Sequence, residues 1–214
     1  AGVNMIQLRD KKANTSLLCE RTKTITQQAR QYAESTAGKK CIVLVNDRAD
    51  VAVAANADGV HLGETDLPVN LARKVCGHDF IIGRTAHSID EAKQAVLDGA
   101  DYLGVGPCYP GNTKQFKEFA TDTFLRHVSE EIRLPVFAIG GITADNLDRL
   151  VRLGVKRVAI ASSITDAADP GKESRLISSL LSATQGNQSQ EAASVSEQQI
   201  VQFASPQTAN SRSK

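Results

Sequence analysis

The stretch Gly99-Ala-Asp-Tyr-Leu-Gly104 echoes an earlier one, Ala57-Asp-Gly-Val-His-Leu-Gly63. Gly154-Val-Lys-Arg-Val-Ala-Ile160 and Gly2-Val-Asn-Met-Ile6 have the same outline. The shared reading is a glycine ending a helix, then a turn, then a buried strand. A strand–helix unit repeated along a chain gives a parallel sheet covered by helices.

Working outward, seven short apolar runs emerge: Val3–Leu8, Cys41–Val45, Gly59–Leu62, Phe80–Ile82, Tyr102–Val105, Val136–Ile139 and Arg157–Ala161. They are rich in Val, Ile and Leu and do not alternate in polarity, as expected of strands buried on both faces. Between them lie helix candidates, among them Thr15–Glu34, Ser88–Asp98 and Thr143–Leu153. Ser88-Ile-Asp-Glu91 has the form of a capping box. Such units close into a (β/α)8 barrel of the TIM type or open into a doubly wound sheet, and pattern alone does not choose. The expectation is an α/β chain, a (β/α)8 TIM barrel whose first β-strand and helix would precede Ala1. Residues 1–182 form the barrel domain, with seven of eight units visible. Residues 183–214, rich in Gln, Ser and Ala, bury too little to offset their ordering entropy and are expected to form a disordered tail. A short helix over Ser194–Phe203 is the exception considered there.

Composition excludes several function classes. With 25 basic against 24 acidic residues the net charge is +1, so a nucleic-acid or acidic-membrane partner is not expected. The four cysteines, Cys19, Cys41, Cys76 and Cys108, are widely spaced, which suggests neither a zinc site nor a disulfide framework. Free thiols fit a reducing cytoplasm. The sequence is compatible with a homo-oligomer.

Polar residues gather where the strands end, the face on which a barrel carries its site. Gln7, Arg9 and Lys11 alternate and so share one side of an extended segment, suited to an oxygen-rich anion; the plainer reading is a solvated strand end. Asn46-Asp47 follows a strand, and Asp66 lies in the loop after the next. Two carboxylates on neighbouring loops could share Mg²⁺ and leave positions for phosphate oxygens. Taken singly, each aspartate reads better as a helix cap. The segment from Gly106 to Lys114 is too rich in Pro and Gly for helix and could deliver Thr113 and Lys114 to a phosphate. Cys108 within it reads as a packed thiol. Gly140-Gly141, and Ala161 with Ser162, follow the last two strands, where backbone N–H groups of barrels often hold phosphate. His61 and His87 read as structural histidines, His87 with the stronger claim on substrate.

Taken in order, these clusters resemble the thiamin-phosphate synthase family. The matching stretches are Gln7-Leu-Arg-Asp-Lys11, Asn46-Asp-Arg-Ala-Asp50, Gly59-Val-His-Leu-Gly63 with Asp66, Thr85-Ala-His-Ser88, Gly104-Val-Gly-Pro107 through Thr113-Lys114, Gly140-Gly-Ile142 and Ala161-Ser162. They span about Ala1 to Leu181. The resemblance implies coupling of hydroxymethylpyrimidine diphosphate to a thiazole phosphate, with loss of pyrophosphate. It implies that the segment Gln7, Leu8, Arg9, Asp10 and Lys11, with Asn46, Thr85 and Lys114, holds the pyrimidine diphosphate. Asp47 and Asp66 would hold Mg²⁺. Gly111, Asn112, Thr113, Gly141, Ala161 and Ser162 would hold the thiazole phosphate. Arg9, Lys11 and Lys114 would neutralise charge building on the leaving group.

Departures from the family pattern are Thr85 in place of the usual Ser and Gly111-Asn112 in place of Thr-x. A thiazole tautomerase of the same fold is the nearest alternative, but Asp47, Asp66, Lys114 and Pro107 favour the synthase. A sugar-phosphate isomerase would need an acid–base pair that the sequence does not offer. The remaining alternative is a barrel that binds these precursors without turnover.

Overall fold

A computed structural model describes residues 3–36, 40–111 and 118–183. Residues 184–214, the greater part of the expected tail, lie outside them, as does the Ser194–Phe203 helix. Among the described residues seven strands form one sheet: β1 (Met5–Leu8), β2 (Ile42–Asn46), β3 (Gly59–Leu62), β4 (Ile81–Ala86), β5 (Tyr102–Val105), β6 (Val136–Ile139) and β7 (Val158–Ala159). Every pairing is parallel and the spatial order is the chain order. A doubly wound sheet would reverse direction at a switch point, and none is present among the described residues. The barrel-type winding is therefore the correct branch.

The helices are α1 (Thr15–Ser35), α2 (Ala49–Ala54), α3 (Val69–Cys76), α4 (Ile89–Leu97), α5 (Asp122–Glu131), α6 (Leu147–Arg152) and α7 (Ser162–Thr165). Residues 170–183 are helical as well. Asn14 and Thr121 cap α1 and α5 through side-chain oxygens that accept from backbone N–H groups. Ser88 does the same for α4, accepting from Glu91 N at 3.2 Å. The second half of the expected capping box is displaced by one residue: Glu91 accepts from His87 N at 2.7 Å instead. None of the helices is long and apolar enough to cross a membrane, among the described residues.

Alternate strand residues face opposite sides. One side packs under the helices, where Val43, Val45, Val60, Leu62, Ile82, Leu103 and Ala138 are fully buried. The other side carries Gln7, Leu44 and Gly59 in one register row, and Asn46, His61, Gly83 and Tyr102 in the next. The sheet curls around this second face. Gln7 on β1 comes close to the hydroxyl of Tyr102 on β5, four strand spacings away, which would be about 19 Å in a flat sheet.

The internal repeat has a physical cause. Asp58 N donates to Val43 O at 2.8 Å while its carboxylate accepts from Val43 N at 2.8 Å. Asp101 does the same to Ile82, with 2.8 and 2.7 Å. Each Ala-Asp pair thus clamps the start of the preceding strand. Each carboxylate is also paired with a cation, Lys40 at 2.9 Å for Asp58 and Arg73 at 2.7 Å for Asp101.

Candidate functional site at the carboxyl ends of the strands

The segment leaving β1 carries Arg9 and Lys11, both exposed. Lys11 pairs with Asp47, just past β2. Asp47 sits at φ +64°, a left-handed conformation that non-glycine residues adopt rarely, and its N–H donates to His61 O at 2.8 Å. The helix-cap reading of Asp47 does not hold: Arg48 occupies the N-cap position of α2, and no side chain caps that helix. Nor does it hold for Asp66, since α3 is preceded by Pro68 with no side-chain cap. Asp66 instead turns back to accept from Gly63 N at 2.7 Å, and its carboxyl lies beside that of Asp47.

Two carboxylates in contact cannot both ionise freely. Burial opposes the charge on Asp47, but the hydrogen bonds from Asp66 and Lys11, and the charges of Lys11 and Arg9, outweigh it and hold its carboxyl below the usual range. Burial pushes Asp66 upward, and the neighbouring Asp47 adds to this against the opposing Gly63 N–H. Asp66 is therefore the first of the pair to take up a proton as pH falls. Together the two could hold a hard cation by one or two carboxylates with several open positions, the set that suits Mg²⁺. No third acidic, His or Cys ligand joins them among the described residues.

Leu8 and Asp10 are turned away from this group. Leu8 packs toward the helix-side core. The Asp10 carboxylate accepts from Lys12 N at 2.9 Å and Ala13 N at 3.0 Å and pairs with Arg21. Both are left with backbone groups to offer. Thr85 faces the interior, with Oγ1 2.9 Å from His61 Nε2. His61 is 8% exposed, and its Nδ1 lies 2.8 Å from the Tyr102 hydroxyl. Burial lowers the His61 pKa to about 4, so the ring is neutral. Both ring nitrogens are satisfied, as the sequence reading held, but they are satisfied by side chains of the interior row. Tyr102 was not foreseen. The available signal was Gly83, its register partner: a Cβ there would fall 2.0 Å from the Tyr102 ring.

On the far side of the sheet end, the segment after β5 lies on the Gly-Gly turn after β6. Cys108 N donates to Ile139 O at 2.9 Å and Tyr109 N to Gly140 O at 3.1 Å. Gly141 has φ +62°, and a Cβ there would meet Pro110 O at 2.2 Å. Gly111 abuts Gly141. Asn146 braces the turn, donating to Gly141 O at 2.9 Å and accepting from Thr143 N at 2.9 Å. Tyr109 donates to Asn146 O at 2.7 Å, and the Arg149 guanidinium stacks 5.4 Å above its ring. Tyr109 and Asn146 are supports that the sequence reading missed. Cys108 is buried, with its thiol pushed up to about 11 by desolvation, and is the packed thiol expected. His87 bonds through Nδ1 to Gly106 O at 2.5 Å, tying the segments after β4 and β5 together. Ala161 and Ser162 stand at the start of α7. Asn112, Thr113 and Lys114 lie outside the described residues.

The fold and site define a barrel-type α/β protein with a cationic, metal-competent cluster at the carboxyl ends of its strands. The sequence matches the family described as thiamine monophosphate synthase over residues 1–164, and the chain belongs to that family. It is 39% identical over 170 residues to a thiamine-phosphate synthase of Prochlorococcus marinus, covering 79% of this chain and 47% of that one. It is 38% identical over 181 residues to one of Halalkalibacterium halodurans, covering 84% and 82%. The chain thus spans about half the length of some curated relatives that it matches, the Prochlorococcus protein among them. The solved thiamine phosphate pyrophosphorylase of Pyrococcus furiosus superposes with a TM-score of 0.74 at 34% identity, covering 85% of this chain and 84% of that one. A 3-hexulose-6-phosphate synthase, at 21% identity and TM-score 0.58, shares the fold alone.

Proposed function

We propose that the chain is a thiamin-phosphate synthase, joining hydroxymethylpyrimidine diphosphate to a thiazole phosphate with release of pyrophosphate. The observation that carries this is the convergence of Arg9, Lys11, Asn46, Asp47, Asp66 and Thr85 at one end of the sheet, in a chain of this family. Arg9 and Lys11 would bind the diphosphate and offset the charge that grows as its bond to the pyrimidine methylene breaks. Lys114 would add a third cation. Asn46 and Gln7 would orient the substrate from the ends of β2 and β1, with backbone groups at Leu8 and Asp10 beside them, and Thr85 would contact the pyrimidine. Asp47 and Asp66 would hold Mg²⁺, whose chemistry is to neutralise and orient the leaving diphosphate. The thiazole phosphate would lie on the Gly111–Gly141 contact, with Asn112, Thr113, Ala161 and Ser162 around it. The thiazole nitrogen would then attack the methylene cation, so no side chain need serve as a strong base.

We read the seven strands as part of an eight-stranded barrel, the remaining strand closing between β7 and β1; the exposure of Ile6 on β1 and of Ala159 on β7 supports this. The reducing cytoplasm is the setting that its free thiols suit.

Calorimetric titration of the pyrimidine diphosphate, with and without Mg²⁺, tests the site. Binding should strengthen with Mg²⁺ in the wild type and lose that dependence in Asp47→Ala and Asp66→Ala. Mg²⁺-independent binding in the wild type would remove the metal from the account.

A further inference from the structure

Three strands contribute one side chain each to a polar chain across the curled interior: Tyr102 from β5, His61 from β3 and Thr85 from β4. The contacts are Tyr102 Oη to His61 Nδ1 at 2.8 Å and His61 Nε2 to Thr85 Oγ1 at 2.9 Å. Two glycines make room for it. Gly83 leaves space for the Tyr102 ring, and a Cβ on Gly104 would stand 3.1 Å from His61 Cε1.

Tyr102 is 5% exposed, burial keeps its hydroxyl protonated, and the hydrogen-bond partner of that hydroxyl among the described residues is His61 Nδ1. A buried hydroxyl proton goes to the acceptor within its reach, so the Tyr102 proton is directed at His61 Nδ1. A neutral imidazole that accepts at Nδ1 donates at Nε2. His61 therefore donates to Thr85, and the Thr85 hydroxyl is left with its proton to give away. Thr85 lies toward the carboxyl end of β4, the end that carries Asp47 and Asp66.

We propose that Tyr102 and His61 are positioning residues that fix Thr85 as a hydrogen-bond donor toward an acceptor on the bound substrate, a ring nitrogen of the pyrimidine. This rests on the substrate reading above, but the tautomer of His61 does not.

Two measurements on the full-length protein keep these apart. ¹⁵N-histidine NMR, with His61 assigned by loss of its signal in His61→Gln, should show the Nε2–H tautomer in the wild type. The Nδ1–H tautomer would overturn the proposal whether or not the protein turns over. A double-mutant cycle with Tyr102→Phe and Thr85→Val gives the second test, with binding of the pyrimidine diphosphate by calorimetry beside steady-state kinetics. Tyr102→Phe keeps the ring that fills the space beside Gly83, so the fold is retained. It should weaken pyrimidine diphosphate binding and raise its KM about ten-fold, leaving the KM for the thiazole phosphate unchanged. In the Thr85→Val background it should add nothing, and Thr85→Ser should keep the wild-type KM. Additive effects of the two substitutions, or a Tyr102→Phe protein with unchanged KM and binding, would overturn it. If the wild type binds the pyrimidine diphosphate without forming product, the synthase reading fails while the cycle in binding still decides the proposal. If it does not bind at all, the pyrimidine assignment is overturned with the substrate reading.

Discussion

The Lys11 ammonium pairs with the Asp47 carboxylate, joining the segment after β1 to the segment after β2. Lys11 helps to hold the Asp47 carboxyl below the usual range, while burial and the neighbouring Asp47 push Asp66 above it. As pH falls, Asp66 should take up a proton before Asp47, and a cation held by both should be lost with it. Mg²⁺ affinity followed by calorimetry should therefore fall on the acid side, and Asp66→Asn should weaken binding and remove that part of the pH dependence. An affinity in the wild type that does not change with pH down through the carboxylate range would contradict this reading.

Arg9 and Lys11 are exposed and bury little apolar surface. Their removal should therefore spare stability and strike turnover. For Arg9→Ala and Lys11→Ala the expected loss in kcat is about 100-fold each, on the scale of losing one preorganised donor to a charged transition state. Thermal melts should stay near wild type. A loss confined to KM would place both cations in ground-state binding only.

His61 predicts a specific acid sensitivity. Its pKa is about 4 in the fold against an ordinary 6.5. Above pH 6.5 it is neutral in both states and has no effect. Below that, the unfolded chain takes up a proton that the fold refuses, so stability falls as pH drops toward 4. The full penalty is on the order of 3 kcal/mol. Urea unfolding at pH 7 and pH 4.5 should show a smaller loss in His61→Gln than in the wild type.

Gly141 combines a left-handed backbone with a contact that leaves no room for a Cβ. Gly141→Ala should destabilise by roughly 2–4 kcal/mol. It should also unseat the segment at Tyr109–Gly111, raising the KM for the thiazole phosphate more than that for the pyrimidine diphosphate.

Arg73 offers a contrast at the opposite end of the sheet. Its guanidinium donates to the carbonyls of Gly77, His78, Phe80 and Gly99 and to Asp101. Arg73→Met should cost roughly 2–4 kcal/mol in unfolding experiments and leave kcat as it was.

Much of this was legible beforehand. Gly59–Leu62, Tyr102–Val105 and Val136–Ile139 are strands with the boundaries that their apolar runs set. β4 runs on to Ala86 because Arg84 and Thr85, polar in sequence, still have partners: Arg84 donates to Gly63 O at 2.6 Å and Thr85 meets His61. The choice between barrel and open sheet was not legible, since both share the strand–helix period and differ only in strand order. Asp47 and Asp66 looked like caps singly; only the fold shows them in contact. The interior chain through Tyr102 was hidden for a similar reason. An aromatic residue in an apolar run reads as core, and its partners come from strands distant in sequence.

Formation of thiamin phosphate by the full-length protein, supplied with both phosphorylated substrates and Mg²⁺, decides whether the proposed coupling takes place. Product and pyrophosphate should appear in equal amounts, and both should be lost on chelation and in Asp47→Ala. A folded protein that binds Mg²⁺ and the pyrimidine diphosphate yet forms no thiamin phosphate would contradict it.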